Sequence, residues 1–400
     1  MNIVIVVHYL FPHITGTDVG AFEQAKRYVR LGHRVTMVSS NLHRSPSEEI
    51  KDGVRIRRVW AANFLERIGI PYPLFSPALF TVLRREIKRA DIVHVHGMLY
   101  LSTIVAIRLG RFYKKRVVLT QVAPDKYHFR PRETSNIVLK LADAIKKGVF
   151  AVLENLSIYI GKRNLKLTDQ ITVLSLPLKD LLVGIGVNEN EIEYISNGVD
   201  TDFFSPVNAE QKASLRKKWN FPEHKPIILS IGRFVPKKGL DIFIGAADSS
   251  YQLVLVSRGN FKPYLKKAQG PVTILAPMPQ EQLLEIYQAS DIFVLAAAGE
   301  DVFSLVLMEA MACGLPVITS DDPFYLNYVD ATYVSLVEKT SESIRQEIKR
   351  ILKDNDLYSR MSAYSRIQAE KKFSWDSRIQ AYVRIYNRLI NSKKQSGDCI

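Results

Sequence analysis

The chain has 400 residues and a net charge of +15. Its composition, 47% hydrophobic and 24% charged, is that of a globular protein. A chain of this length is too long for one hydrophobic core. No run reaches the roughly 18 to 20 apolar residues of a membrane-spanning helix, and two cysteines exclude a disulfide framework or a cysteine metal site. We therefore expect a two-domain cytoplasmic protein.

Apolar runs typical of buried strands alternate with amphipathic helical patterns through the first half of the chain. The strand-like runs lie at 3–7, 35–39, 92–96, 117–120 and 173–175, and the helical patterns lie at 20–31 and 101–109. This alternation predicts a parallel, doubly wound sheet, with 173–175 as its last strand. The first domain is predicted to span residues 1–190.

The same alternation begins again in the second half. Strands are predicted at 227–231, 253–257, 272–275, 292–296 and 317–319, and helices at 238–247, 280–289 and 305–312. We predict a second Rossmann-like domain over residues 191–375. Ser374 is a suitable N-cap for a closing helix over residues 376–392.

The positive charge is concentrated in the first half. Residues 1–190 contain 29 Lys and Arg against 15 Asp and Glu, whereas residues 191–400 contain 26 against 25. A basic half favours an anionic partner such as a lipid headgroup layer or a lipid diphosphate, with a merely solvated basic face as the alternative. Nucleic acid is not expected as a partner, because no recognised binding module is present.

One close histidine pair, His94 and His96, raises the question of a metal site. We expect the two rings to point to opposite faces of a strand and hence not to share an ion. No metal is therefore predicted.

The segment 299–320 carries carboxylates around an apolar helical run. Glu309 lies in the middle of the predicted helix, where a buried and unpaired carboxylate would be costly. The two hydroxyls of a ribose would satisfy it; a position on the wet face of the helix is the alternative.

A second motif follows the first strand of the second half, at 230–239. It places Arg233 and Lys238 at the carboxyl end of a strand and at the start of a helix. Two cations and a helix N-terminus are what a diphosphate needs.

Together these segments resemble the signature of glycosyltransferase family 4, in which two acidic residues eight positions apart flank a helix start. Here the pair is Asp301 and Glu309, with the shorter Asp in place of the family's first Glu. The resemblance implies a GT-B fold, in which two Rossmann-like domains face a central cleft and a C-terminal helix returns toward the first domain. It also implies a retaining transferase that takes its sugar from a nucleotide sugar without a metal or other cofactor.

The resemblance assigns roles to individual residues. Asp301 contacts the donor sugar, Glu309 holds the ribose, and Arg233 and Lys238 neutralise the diphosphate and stabilise the departing nucleotide. The remaining donor contacts are expected from Gly16, Thr17, Phe303, Ser304 and Leu305.

Many members of the family carry a functional histidine where this chain has Val122. His96 is then the nearest candidate for a contact to the sugar or the acceptor, and a histidine buried in the core is the alternative. It completes the predicted catalytic set with Asp301, Arg233 and Lys238.

The acceptor is expected to bind the N-terminal half, which also has aromatic, proline-containing loops at 68–75 and 126–132. Basic residues interleaved with aromatics suit a membrane interface. We therefore expect a glycan or lipid-linked acceptor, and peripheral attachment to the inner face of the membrane.

Other functions fit the sequence less well. A dinucleotide-dependent oxidoreductase would require Gly-x-Gly-x-x-Gly after a first strand, which is missing. A sugar-nucleotide epimerase with the same architecture remains an alternative. So does a nucleotide-sugar-binding relative with little turnover, because of Asp301 and Val122.

Overall fold

The structure is a computed structural model, and it describes residues 1–11, 16–42, 45–62, 74–122, 155, 159–297, 304–322, 325 and 328–397. The chain divides into two compact units. Unit 1 comprises Met1–Ser196 and Ile379–Ile400, and unit 2 comprises Asn197–Arg378.

Unit 1 is built on a sheet in which the strands follow the order β3-β4-β2-β1-β6-β7-β8-β9, with β5 paired to β4. The strands are β1 (Asn2–Val6), β2 (Arg34–Asn41), β3 (Glu48–Lys51), β4 (Val54–Ala62), β5 (Leu74–Phe75), β6 (Ile92–His96), β7 (Arg116–Gln121), β8 (Gln170–Val173) and β9 (Ile192–Tyr194). Only β3 and β5 run antiparallel to their described neighbour β4. The chain starts at β1 in the centre and turns back from β2 and β4 to β6, so the sheet is doubly wound.

The helices of unit 1 connect these parallel strands. They are α1 (Gly16–Arg30), α2 (Ala78–Arg89), α3 (Leu101–Phe112) and α4 (Leu176–Gly184), and residues 159–165 are also helical. The connection from β1 to β2 runs in one direction along the sheet, while those through α2, α3, 159–165 and α4 run in the other. Because such crossovers are right-handed, α1 covers one face and the other helices cover the opposite face.

Unit 2 contains a fully parallel sheet in the order β12-β11-β10-β13-β14-β15. Its strands are β10 (Ile227–Ile231), β11 (Gln252–Val256), β12 (Val272–Leu275), β13 (Ile292–Leu295), β14 (Val317–Ser320) and β15 (Ser335–Val337). The residues of β10, β11 and β13 are all buried, as expected for central strands covered by helices on both faces.

The helices of unit 2 follow the strands in the order expected for a Rossmann-like domain. They are α5 (Ala209–Lys218), α6 (Leu240–Gly245), α7 (Lys262–Leu265), α8 (Gln280–Ala289), α9 (Leu305–Ala312), α10 (Ser341–Lys353) and α11 (Asn355–Gln368). Side-chain N-caps fix three of the starts: Asn208 for α5, Thr340 for α10 and Asp354 for α11,.

The last helix, α12 (Trp375–Gly397), begins in unit 2 and continues in unit 1. Its first residue, Trp375, donates a backbone hydrogen bond to Val199 and packs on Gly198, where an added Cβ would lie 2.7 Å from the indole. Farther along, Tyr382 and Tyr386 are buried. The Tyr386 hydroxyl lies 3.0 Å from that of Tyr28 in α1.

The predicted fold class is confirmed, since both units are parallel-dominated α/β domains and the C-terminal helix returns to the first. The bounds assigned from the sequence, 1–190, 191–375 and 376–392, stay predictions. Two element predictions were wrong. The strand predicted at 173–175 is β8, which ends at Val173, and it is not the last strand of unit 1 because β9 follows it. The helix predicted over 238–247 is shorter, and it begins only at Leu240 because Gly239 adopts a left-handed conformation, with φ +60°.

Candidate functional site

The sheet of unit 2 has a switch point between β10 and β13. After β10 the chain adds β11 and β12 on one side, and β13 to β15 then lie on the other. Ligands of doubly wound sheets bind outside the carboxyl ends of the strands at such a point. The loops that follow Ile231 and Leu295 therefore form the expected ligand edge.

The loop after β10 folds tightly against the end of β13. At Gly239, an added Cβ would lie 2.1 Å from the carbonyl oxygen of Ala296, so no other residue fits without displacing the backbone. Immediately before it, Pro236–Lys238 form a turn of 3-10 helix. The sequence places a glycine where the chain must turn left-handed and approach the neighbouring strand.

The two predicted phosphate-binding cations lie on this loop. The Arg233 side chain is exposed, and Lys238 is half-buried, with its Cγ 3.9 Å from the position that a Cβ on Gly232 would take. Both cations thus lie at the carboxyl end of the central strand, where a diphosphate would enter.

Glu309 lies inside the unit rather than on the wet face of α9, with 7% of its surface exposed. Its Oε2 accepts a hydrogen bond of 2.8 Å from the hydroxyl of Tyr287 in α8. The same hydroxyl lies 3.2 Å from the carbonyl oxygen of Val306. Burial raises the pKa of Tyr287, and the Glu309 carboxylate raises it further. Burial likewise raises the pKa of the Cys313 thiol, one turn along α9.

Tyr287 was missed by the sequence analysis. It precedes Glu309 by 22 residues on another helix, and no motif connects the two. A buried tyrosine is a suitable partner, because a phenol can donate to a carboxylate without adding a second charge. It holds one carboxylate oxygen of Glu309 in place.

The start of α9 completes this edge. Ser304 occupies the N-cap position and Leu305 is the first helical residue, and both are half-buried. The first N–H groups of a helix have no partner within it and suit an anion. The predicted Asp301 and Phe303 lie outside the described residues.

In unit 1 the switch point lies between β1 and β6. Gly16 and Thr17 form the first turn of α1. Beside them, the edge is occupied by rings: His8 stacks on Tyr100 with ring centroids 3.9 Å apart. A Cβ on Gly97 would lie 2.6 Å from the Tyr100 ring, so this glycine allows the stack.

His96 lies at the carboxyl end of β6, and 6% of its surface is exposed. Its Nε2 has no hydrogen-bond partner among the described residues. Burial lowers the pKa of the ring to about 4, so it is uncharged near neutral pH.

The prediction that His94 and His96 point to opposite faces was wrong. Residues two apart on a strand share a face, and the ring centroids lie 4.7 Å apart. His94 is held on both sides, by Thr120 Oγ1 at 2.7 Å and by the Tyr386 hydroxyl at 2.7 Å. Burial lowers its pKa well below the usual value.

Within the part of the chain that the structure describes, no three His, Cys, Asp or Glu residues cluster in a way that could hold a metal ion. In the same residues no helix combines the length and the apolar character needed to span a bilayer. The predicted loops at 68–75 and 126–132 lie largely or wholly outside the described residues.

Two family models match the chain. Residues 14–203 match the model described as Glycosyltransferase Family 4, and residues 211–368 match the model described as Glycosyl transferases group 1. Between them they span most of both units.

Curated relatives are distant. A GDP-mannose-dependent alpha-mannosyltransferase of Mycobacterium tuberculosis is 24% identical over 80% of this chain and 79% of its own length. A GDP-mannose-dependent monoacylated alpha-(1-6)-phosphatidylinositol monomannoside mannosyltransferase of Corynebacterium glutamicum is 29% identical, but the match spans 46% of this chain and about half of that relative, 53%.

Among solved structures, Anabaena HepE in complex with UDP superposes with a TM-score of 0.74 over 97% of this chain and all of that one, at 14% identity. At this identity the likeness concerns the fold.

Proposed function

We propose that this chain, which belongs to glycosyltransferase family 4, is a retaining, metal-independent hexosyltransferase acting in polysaccharide or glycoconjugate biosynthesis. It would move a sugar from a nucleotide-sugar donor to a glycan or lipid-linked acceptor. That it is a GT-B glycosyltransferase follows from the family and the fold; the stereochemistry, the metal independence and the substrates are the proposal.

The observation that carries the proposal is the edge of unit 2. The Gly239 turn presents Arg233 and Lys238 beside the end of β13, and the neighbouring helix α9 carries the buried Glu309. A nucleoside diphosphate needs positive charge for its phosphates and a fixed acceptor group for its ribose, and this edge contains both.

Catalysis would then be electrostatic. As the bond to the sugar breaks, negative charge grows on the leaving diphosphate. Arg233 and Lys238 would stabilise that charge, as a divalent ion does in other enzymes. Tyr287 would keep Glu309 aimed at the ribose, and Asp301 would contact the donor sugar.

In unit 1, the backbone at Gly16 and Thr17 would approach the donor phosphate, and His96 would contact a hydroxyl of the sugar or acceptor. A ring with a pKa of about 4 is neutral near pH 7, so it can offer a hydrogen bond without competing for the phosphates.

The relatives indicate which substrates to test. Both relatives described above are named for GDP-mannose, and the structural neighbour contains UDP. The name of the Corynebacterium relative also contains a phosphatidylinositol monomannoside. We infer a lipid-linked acceptor as the first to examine.

The test is hydrolysis of UDP-, GDP- and ADP-sugars in the presence of EDTA, without acceptor, followed by transfer to lipid-linked glycans. Arg233→Ala should lower the rate by roughly 100- to 1000-fold, and Glu309→Gln should weaken nucleotide binding. The matched control is Lys225→Ala, which removes a cation before β10, at the opposite end of the same strand. The proton NMR spectrum of the released sugar reports whether the anomeric configuration is kept.

A strict need for a divalent ion, or an Arg233→Ala variant as active as the Lys225→Ala control, would contradict the proposed donor site. Donor binding without hydrolysis or transfer would favour the binding-only relative. Isomerised nucleotide sugar formed without acceptor would favour the epimerase.

A further inference from the structure

One helical layer of unit 1 carries an unusual excess of positive charge. Helices α2 and α3 pack side by side on the same face of the sheet. Between residues 78 and 116 there are nine Lys and Arg but two Asp and Glu. A surface of one sign of charge attracts an anionic partner.

The two acidic residues do not neutralise this layer. Glu86 is 4% exposed and points inward, with its Oε2 3.2 Å from Arg55 of β4. Asp91 accepts a backbone hydrogen bond of 2.7 Å from Asn2. Glu86 is thus turned toward the sheet, and the exposed Asp91 alone leaves the outer surface of the layer strongly positive.

Exposed cations lie on both helices: Arg84, Arg85, Lys88, Arg89, Arg108 and Arg111. We call the surface formed by these six cations and by the exposed apolar residues Phe80, Leu101 and Phe112 the basic face.

Large apolar side chains are exposed at the ends of the same two helices. Phe80 at the start of α2 is 53% exposed, Leu101 at the start of α3 is 42% exposed, and Phe112 at its end is 76% exposed. Exposed aromatics among Lys and Arg are typical of segments that lie on a membrane, where the cations meet headgroups and the rings enter the interface.

The charge continues along the same layer at the helical residues 159–165 and the turn after them. Here three cations, Lys162, Arg163 and Lys166, and one carboxylate, Glu191, line a cavity of about 530 Å³. Arg163 lies over the ring of Tyr159, 5.5 Å from its centroid, and Tyr159 is itself 57% exposed. Leu165 and other apolar residues form part of the wall.

The opposite face of unit 1 is different. On α1, Lys26 and Arg27 both pair with Glu23. Helix α12 packs on the same side, through Tyr386 and Tyr28. Among the described residues of α1 and of the unit 1 part of α12, three cations are exposed, Arg30, Arg384 and Arg388, against six on α2 and α3. The layer of α2 and α3 is therefore the more strongly basic of the two.

We propose that the basic face is the surface by which this protein lies on an anionic lipid bilayer. The cations on two adjacent helices match a plane of negative headgroups, and the apolar side chains distinguish a bilayer from a nucleic acid, which offers no apolar interface to enter. The proposal deepens the proposed function, because a bilayer would present a lipid-linked acceptor, but binding to a bilayer can be measured without turnover.

The experiment is co-sedimentation of the full chain with vesicles of phosphatidylcholine alone or mixed with phosphatidylglycerol. Binding should require phosphatidylglycerol and should fall as NaCl is added. The triple variant Arg85→Glu, Arg89→Glu, Arg111→Glu should lose at least roughly 100-fold in affinity, since each cation near an anionic surface contributes about 1 kcal/mol.

A matched control removes three exposed cations from unit 2: Lys353→Glu, Arg360→Glu, Lys371→Glu. It should bind vesicles as the wild type does. For the apolar contribution, Phe112→Ser should weaken binding, whereas Ile367→Ser, at a 43% exposed residue of unit 2, should not.

Equal binding to both vesicle types, equal loss in the two triple variants, or preference for duplex DNA over vesicles would overturn the proposal. Acceptor-free hydrolysis of the nucleotide sugar should be unchanged in the triple variant of α2 and α3, Arg85→Glu, Arg89→Glu, Arg111→Glu. Vesicle binding by a protein that hydrolyses no donor would leave this proposal standing and would remove the proposed function instead.

Discussion

The two units have the same kind of doubly wound sheet, but they differ at the switch point. In unit 2 the edge is made of backbone and cations: Gly239 turns against Ala296, and Arg233 and Lys238 follow the central strand. In unit 1 the corresponding edge is filled by rings, with His8 stacked on Tyr100. The same topology therefore places two cations at the carboxyl edge of one unit and stacked aromatic rings at the carboxyl edge of the other.

The net positive charge is larger in the half of the chain whose carboxyl edge is formed by rings than in the half whose carboxyl edge carries the two cations. The half with the larger excess of Lys and Arg carries exposed cations on the helices α2 and α3, away from the carboxyl edge of its sheet. The half with nearly balanced charge has two cations at its carboxyl edge. The net charge supports the proposed lipid-binding surface, whereas the position of two cations relative to a strand end supports the proposed donor site.

Gly239→Ala should produce the largest change in stability. An alanine would have to adopt a left-handed conformation and displace the Ala296 carbonyl, at a cost of roughly 3 kcal/mol or more. Urea unfolding followed by tryptophan fluorescence measures it.

The matched control in unit 1 is Gly184→Ala, where nothing lies within 4 Å of an added Cβ. This variant should be neutral or stabilised by less than about 1 kcal/mol. Similar losses of unfolding free energy in both variants would show that the contact of Gly239 with the Ala296 carbonyl does not require a glycine.

Tyr386→Phe should have the next largest effect, and it tests the attachment of α12 to unit 1. The hydroxyl lies between His94 Nδ1 at 2.7 Å and the Tyr28 hydroxyl at 3.0 Å. Its removal leaves buried polar groups without a partner, at a cost of roughly 1 to 3 kcal/mol. Hydrogen exchange should increase in α12 and β6 while unit 2 stays as protected as in the wild type; an equal increase in unit 2 would contradict the assignment.

Acid should destabilise unit 1 before unit 2. The folded protein keeps His96 neutral down to a pKa of about 4, whereas an unfolded histidine binds a proton below about 6.5. Stability is therefore fully present above about pH 6.5 and falls as the pH drops toward 4. At about pH 5.5 the loss from His96 is about 1 kcal/mol.

The urea midpoint at about pH 7.5 and 5.5 checks this, with His96→Asn as the comparison. The variant should lose less on acidification than the wild type, because one neutral buried ring is gone. An unchanged pH dependence in His96→Asn would contradict the burial of that ring as the cause.

Much of the fold was predictable because the central strands are uninterrupted apolar runs. The strand at 227–231, the helix at 280–289 and the helix at 305–312 have the predicted bounds. The hairpin of β3 and β4 was not predicted, because charged residues interrupt its apolar residues and no continuous apolar run marks a strand. The alternation in β4, V-R-I-R-R-V, was the available signal.

The candidate site was predictable only in part. Arg233 and Lys238 follow a recognisable strand and lie where a loop after that strand should be. Tyr287 could not be found, because its contact with Glu309 depends on how α8 packs beside α9. The error over His94 and His96 was avoidable, since the side-chain period of a strand already places them on one face.

The most direct test of the central claim, that unit 2 binds the nucleotide of the donor, is hydrogen–deuterium exchange of the full chain with and without UDP and GDP in the presence of EDTA. We predict protection of the loop 232–239 and of the first turn of α9, lost in Arg233→Ala and kept in Lys225→Ala. Protection confined to unit 1, or protection in unit 2 that Arg233→Ala leaves unchanged, would contradict it.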